Sequence, residues 1–225
     1  MVKGLDTFQK YFADYEEQYV LIGGAACDIL FESNEVNFRA TRDLDMFLIV
    51  EALTPEFGEK FWEFIVDGKY RNKATNGSNP QFYRFDKPED DEFPKMIELF
   101  CRSDFKLKNA KGITPIHIDD EVSSLSAILL NDDYYKALLN GKEVRNGLSV
   151  LRPEYIILFK AKAYLDLQKR KDSGEKLDSS DIKKHKKDVL RIASELMLEK
   201  VEELPIAVDA DIHSFIDLLE QEPFD

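Results

Sequence analysis

Asp43 and Asp45 are the residues of this chain best suited to do chemistry. They flank Leu44 and open the apolar run Met46-Phe47-Leu48-Ile49-Val50. That run reads as a β-strand. A strand alternates its side chains between faces, so both carboxylates project to the same side, about 7 Å apart. Carboxylates held that close repel unless a cation lies between them. A hard divalent ion, Mg²⁺ or Mn²⁺, takes oxygen ligands and often bridges protein carboxylates to substrate phosphates. Earlier in the chain, Tyr19-Val20-Leu21-Ile22 reads as a short buried strand ending at Gly23-Gly24. A glycine pair lets phosphates approach the backbone closely. Ala25 to Glu32 then reads as a helix, whose free N–H groups would point at the glycine turn. Together these parts imply a metal-dependent site for a nucleoside triphosphate.

A third carboxylate is a candidate for the same site. Gln81 to Phe85 and Lys95 to Cys101 read as paired strands around the acidic turn Glu89 to Glu92. In the second, Met96, Glu98 and Phe100 share one face, and Ile97 and Leu99 the other. An acid among apolar neighbours is costly to bury without a partner. Glu98 is therefore either a third metal ligand or a salt-bridged strand residue; choosing between them needs the strand order.

The elements that must hold these groups follow from periodicity and punctuation. Residues 4–17 read as an amphipathic helix with Leu5, Phe8, Phe12 and Tyr15 on one stripe. Ser33 to Arg42 reads as a polar loop. Thr54-Pro55-Glu56 is a helix start, and that helix carries Phe57, Phe61, Trp62, Phe64 and Ile65. Asn72 to Pro80 reads as a loop, and 113–118 and 124–130 as further strands. Asp132 to Leu139 reads as a short helix, and Val144 to Val150 as a hairpin turning at Asn146-Gly147. From Glu154 onward the chain reads as helix: 154–171, about 179–199, and 210–221. The expected fold class is α/β (α+β): a mixed sheet flanked by helices over residues 1–151, then a helical domain over 152–225.

Composition sets the bounds. The chain has 225 residues, 44% of them hydrophobic, with 16 Phe and 9 Tyr, enough for a true core. The apolar runs are too short to span a membrane, and the first residues lack a signal-peptide stretch. Cys27 and Cys101 sit in apolar contexts and read as buried thiols of a cytoplasmic protein. The formal net charge is −13, which counts against a broad nucleic-acid binder. Two basic clusters run against that balance: Lys169-Arg170-Lys171, and Lys183, Lys184, Lys186 and Lys187. His117, His185 and His213 show no metal-ligand spacing with another His or Cys. The chain contains neither a Gly-x-Ser-x-Gly elbow nor a Walker motif.

Leu21-Ile22-Gly23-Gly24 followed by Asp43-Leu44-Asp45-Met46 resembles the signature of the nucleotidyltransferase superfamily, the fold of DNA polymerase beta. The string Arg39-Ala40-Thr41-Arg42-Asp43-Leu44-Asp45 looks like the Arg-x-Thr-x-Asp-x-Asp form of the AbiEii-like branch, which includes toxins of type IV toxin–antitoxin systems. Pro153 to Ala163 is similar to that branch's Lys-bearing helix, with Lys160 at the matching place. His185 to Leu190 looks like its following helix, with Asp188. The resemblance covers about residues 18 to 195. Eighteen residues separate Gly24 from Asp43, a longer spacer than is common in the superfamily.

The resemblance implies a nucleotidyltransferase fold and transfer of a nucleoside monophosphate from an NTP to an acceptor hydroxyl, with release of pyrophosphate. By it, Asp43 and Asp45 hold Mg²⁺, and Glu98 completes the shell. Gly23 and Gly24 cradle the triphosphate, with Arg39 and Thr41 as further nucleotide-binding candidates. Lys160 neutralises developing phosphate charge, and Asp188 orients Lys160 or a substrate hydroxyl. The acceptor is a tRNA, a protein side chain or a small molecule. The acidic balance favours the latter two, and the lysines at 183–187 keep tRNA open. An antitoxin is the partner the branch suggests. The alternative is a protein on the same fold that binds nucleotide or a partner without catalysis.

Overall fold

The computed structural model describes residues 2–32, 43–49, 51–74, 80–101, 128 and 131–221. The chain forms two compact units, Met1–Asp120 with Lys142–Leu151, and Glu121–Gly141 with Arg152–Asp225. The fold class is mixed α+β, with seven α-helices among the described residues and a seven-stranded sheet of parallel and antiparallel pairs.

The first unit holds the sheet. Its elements are α1 (Leu5–Phe12), β1 (Tyr19–Ile22), α2 (Gly23–Glu32), β2 (Asp43–Leu48), α3 (Pro55–Asp67), β3 (Arg71–Ala74), β4 (Pro80–Asp86), β5 (Met96–Cys101), β6 (Lys142–Arg145) and β7 (Leu148–Leu151). The strand order is β3-β4-β5-β2-β1-β7-β6. The strand bearing Asp43 and Asp45 is therefore the middle one of seven. It pairs antiparallel with β1 and parallel with β5. Strand β1 is buried along its whole length, and Leu44, Met46, Phe47 and Leu48 of β2 are buried. A one-residue slip would move Leu44, Met46 and Leu48 to the face that carries the acids, so their burial pins the register.

Aromatic packing fixes α1 and α3. Thr54 caps α3 by accepting a hydrogen bond from the Phe57 N–H at 3.3 Å, and Pro55 stands at the first helical position. Phe57, Phe61, Phe64 and Ile65 form its buried face. Phe12 of α1 lies 5.6 Å from Phe57, 5.5 Å from Phe64 and 4.5 Å from Phe8, ring centre to ring centre. Phe61 carries this cluster to the sheet through Phe85 of β4, at 5.5 Å. The only tryptophan, Trp62, lies against the same Phe85. In the β6–β7 hairpin, Asn146 and Gly147 both take positive φ (51° and 70°), the two-residue turn that matches strand twist.

The second unit is helical: α4 (Asp132–Gly141), α5 (Pro153–Asp172), α6 (Ser179–Glu195) and α7 (Ile206–Gln221). Asn131 caps α4 by accepting from the Asp133 N–H at 2.9 Å, and Asp178 caps α6 by accepting from the Ser180 N–H at 2.8 Å. That hydrogen bond holds the Asp178 carboxyl below its ordinary pKa. Ala161, Tyr164, Ile182, Val189 and Phe215 form the core, with Tyr164 edge-on to Phe215 at 5.4 Å. No helix among the described residues is long and apolar enough to cross a membrane.

Several boundaries differ from expectation. Helix α1 stops at Phe12. A turn in which the Tyr15 N–H donates to the Phe12 carbonyl then leads into a 3₁₀ turn at Glu16–Gln18. Residues 71–74 form an edge strand paired with β4, although their polar character reads as loop. An edge strand needs only one paired side, which polar residues tolerate. Helix α6 ends at Glu195, where Leu196 turns extended. Helix α7 starts at Ile206, directly after Pro205, whose carbonyl accepts the Asp209 N–H at 2.9 Å. Residue 128 is helical, in a stretch expected as strand; segment 113–118 lies outside the described residues.

Truncating Phe12 tests the aromatic cluster. Phe12→Ala is expected to cost about 3–5 kcal/mol. The check is the urea midpoint of Trp62 fluorescence, a probe confined to the first unit; an unchanged midpoint would contradict the packing described.

Candidate active site

The first three residues of β2 alternate as the sequence pattern requires. Leu44 is buried, while Asp43 and Asp45 are half-buried on the other face. Asp45 stands opposite Ile22 on β1 and opposite Glu98 on β5. Glu98 in turn stands opposite Arg84 on β4. Residues in register share a face, so Ile22, Asp45, Glu98 and Arg84 form one row across four strands. The neighbouring row runs Asp43, Met96, Asp86 and Arg71 across β2, β5, β4 and β3. Two candidate ligands from a single strand are thereby joined by a third from the adjacent strand, at the level of Asp45.

Gly23 closes on this row. It follows Ile22, takes φ +63° and starts α2 itself, two residues earlier than the expected helix start at Ala25. A Cβ built on Gly23 would overlap Oδ2 of Asp45. Glycine is thus required here twice, for the left-handed backbone and for room beside the carboxylate. The two halves of the motif, well separated in sequence, touch in space. Helix α2 is buried from Gly24 to Phe31. Cys27, within it, is fully buried.

The Glu98 carboxylate is engaged. Arg84 donates from Nε to Oε1 at 2.6 Å, and Nη2 also reaches Oε1. Arg84 is half-exposed, whereas the Glu98 side chain is 19% exposed. Glu98 is thus salt-bridged, as one of its two sequence readings has it, and it also stands in register beside Asp45. Among the described residues, no three His, Cys, Asp or Glu side chains converge into a group that could hold a metal ion. The donor chemistry still fits Mg²⁺: hard carboxylate oxygens, two on one strand and a third in register on the next.

No protein-family model matches the chain, and no curated protein matches it.

Lys160 and Asp188 belong to the second unit, where they meet each other. Lys160 Nζ of α5 donates to Asp188 Oδ2 of α6 at 2.6 Å, and both side chains are more than nine-tenths buried. The pair spans the α5–α6 interface that also buries Ala161 and Val189. Next to it on α5, Lys162 is shared between Asp166 at 2.9 Å and Asp211 at 3.4 Å. Burial opposes its charge, but the two carboxylates outweigh that and raise its pKa. Asp211 also accepts from the Tyr134 hydroxyl at 3.0 Å, which links α4, α5 and α7. Of the basic cluster on α6, Lys183, Lys184 and Lys187 are exposed. Arg39 and Thr41 lie outside the described residues.

Arg84 escaped the sequence reading. Its only signal was its place in an alternating strand, and its partner became visible only through the β4–β5 register.

Two sets of variants test this geometry. Gly23→Ala is expected to lower the urea midpoint of Trp62 fluorescence by the equivalent of about 1–3 kcal/mol, from left-handed strain and the clash with Asp45. In the second unit, Lys160→Met alone is expected to cost about 3–5 kcal/mol by leaving Asp188 buried without its cation. Lys160→Met combined with Asp188→Leu should recover most of that loss. Far-UV circular dichroism against urea reads both, and equal losses in single and double variants would refute the pairing.

Proposed function

We propose that this protein is a metal-dependent nucleotidyltransferase, which transfers a nucleoside monophosphate from an NTP to an acceptor hydroxyl. The observation that carries the reading is the row on the sheet face. Asp43 and Asp45 lie on the central strand, Glu98 lies beside Asp45, and Gly23 sits against Asp45 with no side chain of its own. The resemblance to the nucleotidyltransferase superfamily, in its AbiEii-like branch, adds to it.

In this reading Asp43 and Asp45 hold the divalent ion, with Glu98 as the third carboxylate. When bound, the ion supplies Lewis-acid charge that acidifies the acceptor hydroxyl and steadies the leaving pyrophosphate. Gly23 leaves the backbone open where a phosphate must come close. The first N–H groups of α2 lack helical partners and favour an anion there. Buried β1 and α2 keep the carboxylates' mutual position fixed, so little reorganisation is needed when the substrate arrives. The acceptor oxygen bonds to the α-phosphorus as the bond from that phosphorus to the bridging oxygen breaks. Pyrophosphate leaves with the electron pair, and the hydroxyl proton passes to solvent. The acceptor belongs to one of three classes: a tRNA end, a protein hydroxyl or a small molecule.

One observation favours a second reading, nucleotide binding without transfer: the ion pair that Arg84 makes with Glu98. The two part in one experiment, pyrophosphate release from each of the four NTPs with Mg²⁺ and cellular RNA, protein or metabolite extract. Release by the wild type that falls at least about 100-fold in Asp43→Ala/Asp45→Ala is expected for the enzyme. Nucleotide binding with no release from any NTP would favour the second reading.

A further inference from the structure

The row Asp45, Glu98, Arg84 places a cation where the sheet face has gathered acids. Asp45 and Glu98 stand in register on neighbouring strands, which lie about 4.8 Å apart, and Asp43 lies two residues along β2 on the same face. Such a group is unfavourable without a counter-charge. Arg84 supplies one, from a strand on the far side of β5 from β2. Its grip does not depend on burial. The guanidinium is half-exposed, and an ion pair open to water on one side adds little net stability, so exchanging its partner costs little. Glu98 is different. It is mostly covered and fixed by strands on both sides, so it stays in place whichever cation it faces.

The geometry points to Arg84 as an exchangeable counter-ion of the site: bound to Glu98 before the divalent ion arrives, and to the phosphates of a nucleoside triphosphate once the ion has taken Glu98. This rests on the metal–nucleotide reading above. Two features suit Arg84 to the second half of the exchange. An arginine fork matches phosphate oxygens as well as carboxylate oxygens. Arg84 also lies on the same face as the aspartates, one row position beyond Glu98. Arg84 is thus a nucleotide-binding residue in this proposal. It holds the site closed to stray cations and couples metal loading to nucleotide capture.

The experiment measures two affinities of the full chain in wild type, Arg84→Gln and Arg84→Lys. The first is for Mn²⁺ alone, by electron paramagnetic resonance. The second is for a non-hydrolysable NTP with Mn²⁺ saturating, by calorimetry. Arg84→Gln is expected to bind Mn²⁺ about tenfold more tightly and the NTP analogue about tenfold more weakly, the scale of one charge-assisted hydrogen bond in each case. Arg84→Lys, which keeps the charge without the fork, should retain the wild-type Mn²⁺ affinity within about twofold and still lose nucleotide affinity. In a Glu98→Gln background, Arg84→Gln should give no gain in Mn²⁺ affinity. An unchanged Mn²⁺ affinity in Arg84→Gln, or a gain that persists without Glu98, overturns the exchange while leaving the metal site standing. Failure of the wild type and of every variant to bind Mn²⁺ overturns the metal–nucleotide reading itself.

Discussion

The register that sets Asp43, Asp45 and Glu98 in neighbouring rows of one sheet face is the constraint on which the first unit's candidate site depends. Asp43 and Asp45 begin the central strand and share a face by strand alternation, while the burial of Leu44, Met46 and Leu48 on the other face fixes the register. Glu98 is added by the parallel pairing of β5. Left alone, such a group would be a liability in the middle of a seven-stranded sheet. It persists because the surrounding structure over-determines it. A fully buried β1 lies on one side, and Arg84 satisfies Glu98 on the other. Gly23 gives way to Asp45 at a backbone angle that other residues rarely adopt. Charges gathered against their own repulsion are commonly found where a cation or a substrate is to be bound.

The second unit solves a different problem with a similar device. Lys160 and Asp188 are buried at a helix–helix interface, where leaving either without the other would be costly. They bond to each other, and a separate polar network of Tyr134, Asp211, Lys162 and Asp166 joins α4, α5 and α7. A network of this kind favours one helix arrangement over others, because a shifted packing would leave charges without partners.

Local chemistry made much of this legible in the sequence. Thr54-Pro55 announces α3, Asn146-Gly147 announces the β6–β7 hairpin, and the phenylalanine spacing of α3 predicts its buried face. The Asp43-x-Asp45 pairing follows from strand period alone. What stayed hidden depends on contacts distant in sequence. Strand β5 pairs with β2 across an intervening helix and two strands, so the position of Glu98 beside Asp45 has no local signature. The same is true of Arg84, whose role comes entirely from register with Glu98. Gly23 was legible as a turn residue but not as the neighbour that Asp45 requires. Polar edge strand β3 reads as loop because an edge needs no hydrophobic run.

The most direct measurement of the central claim is anomalous X-ray scattering from crystals soaked in Mn²⁺ with a non-hydrolysable NTP. The account predicts a manganese peak on the sheet face, about 2.1 Å from carboxylate oxygens of both Asp43 and Asp45, with phosphate density beside Gly23. Ordered nucleotide bound elsewhere, or a manganese peak away from both aspartates, would contradict it.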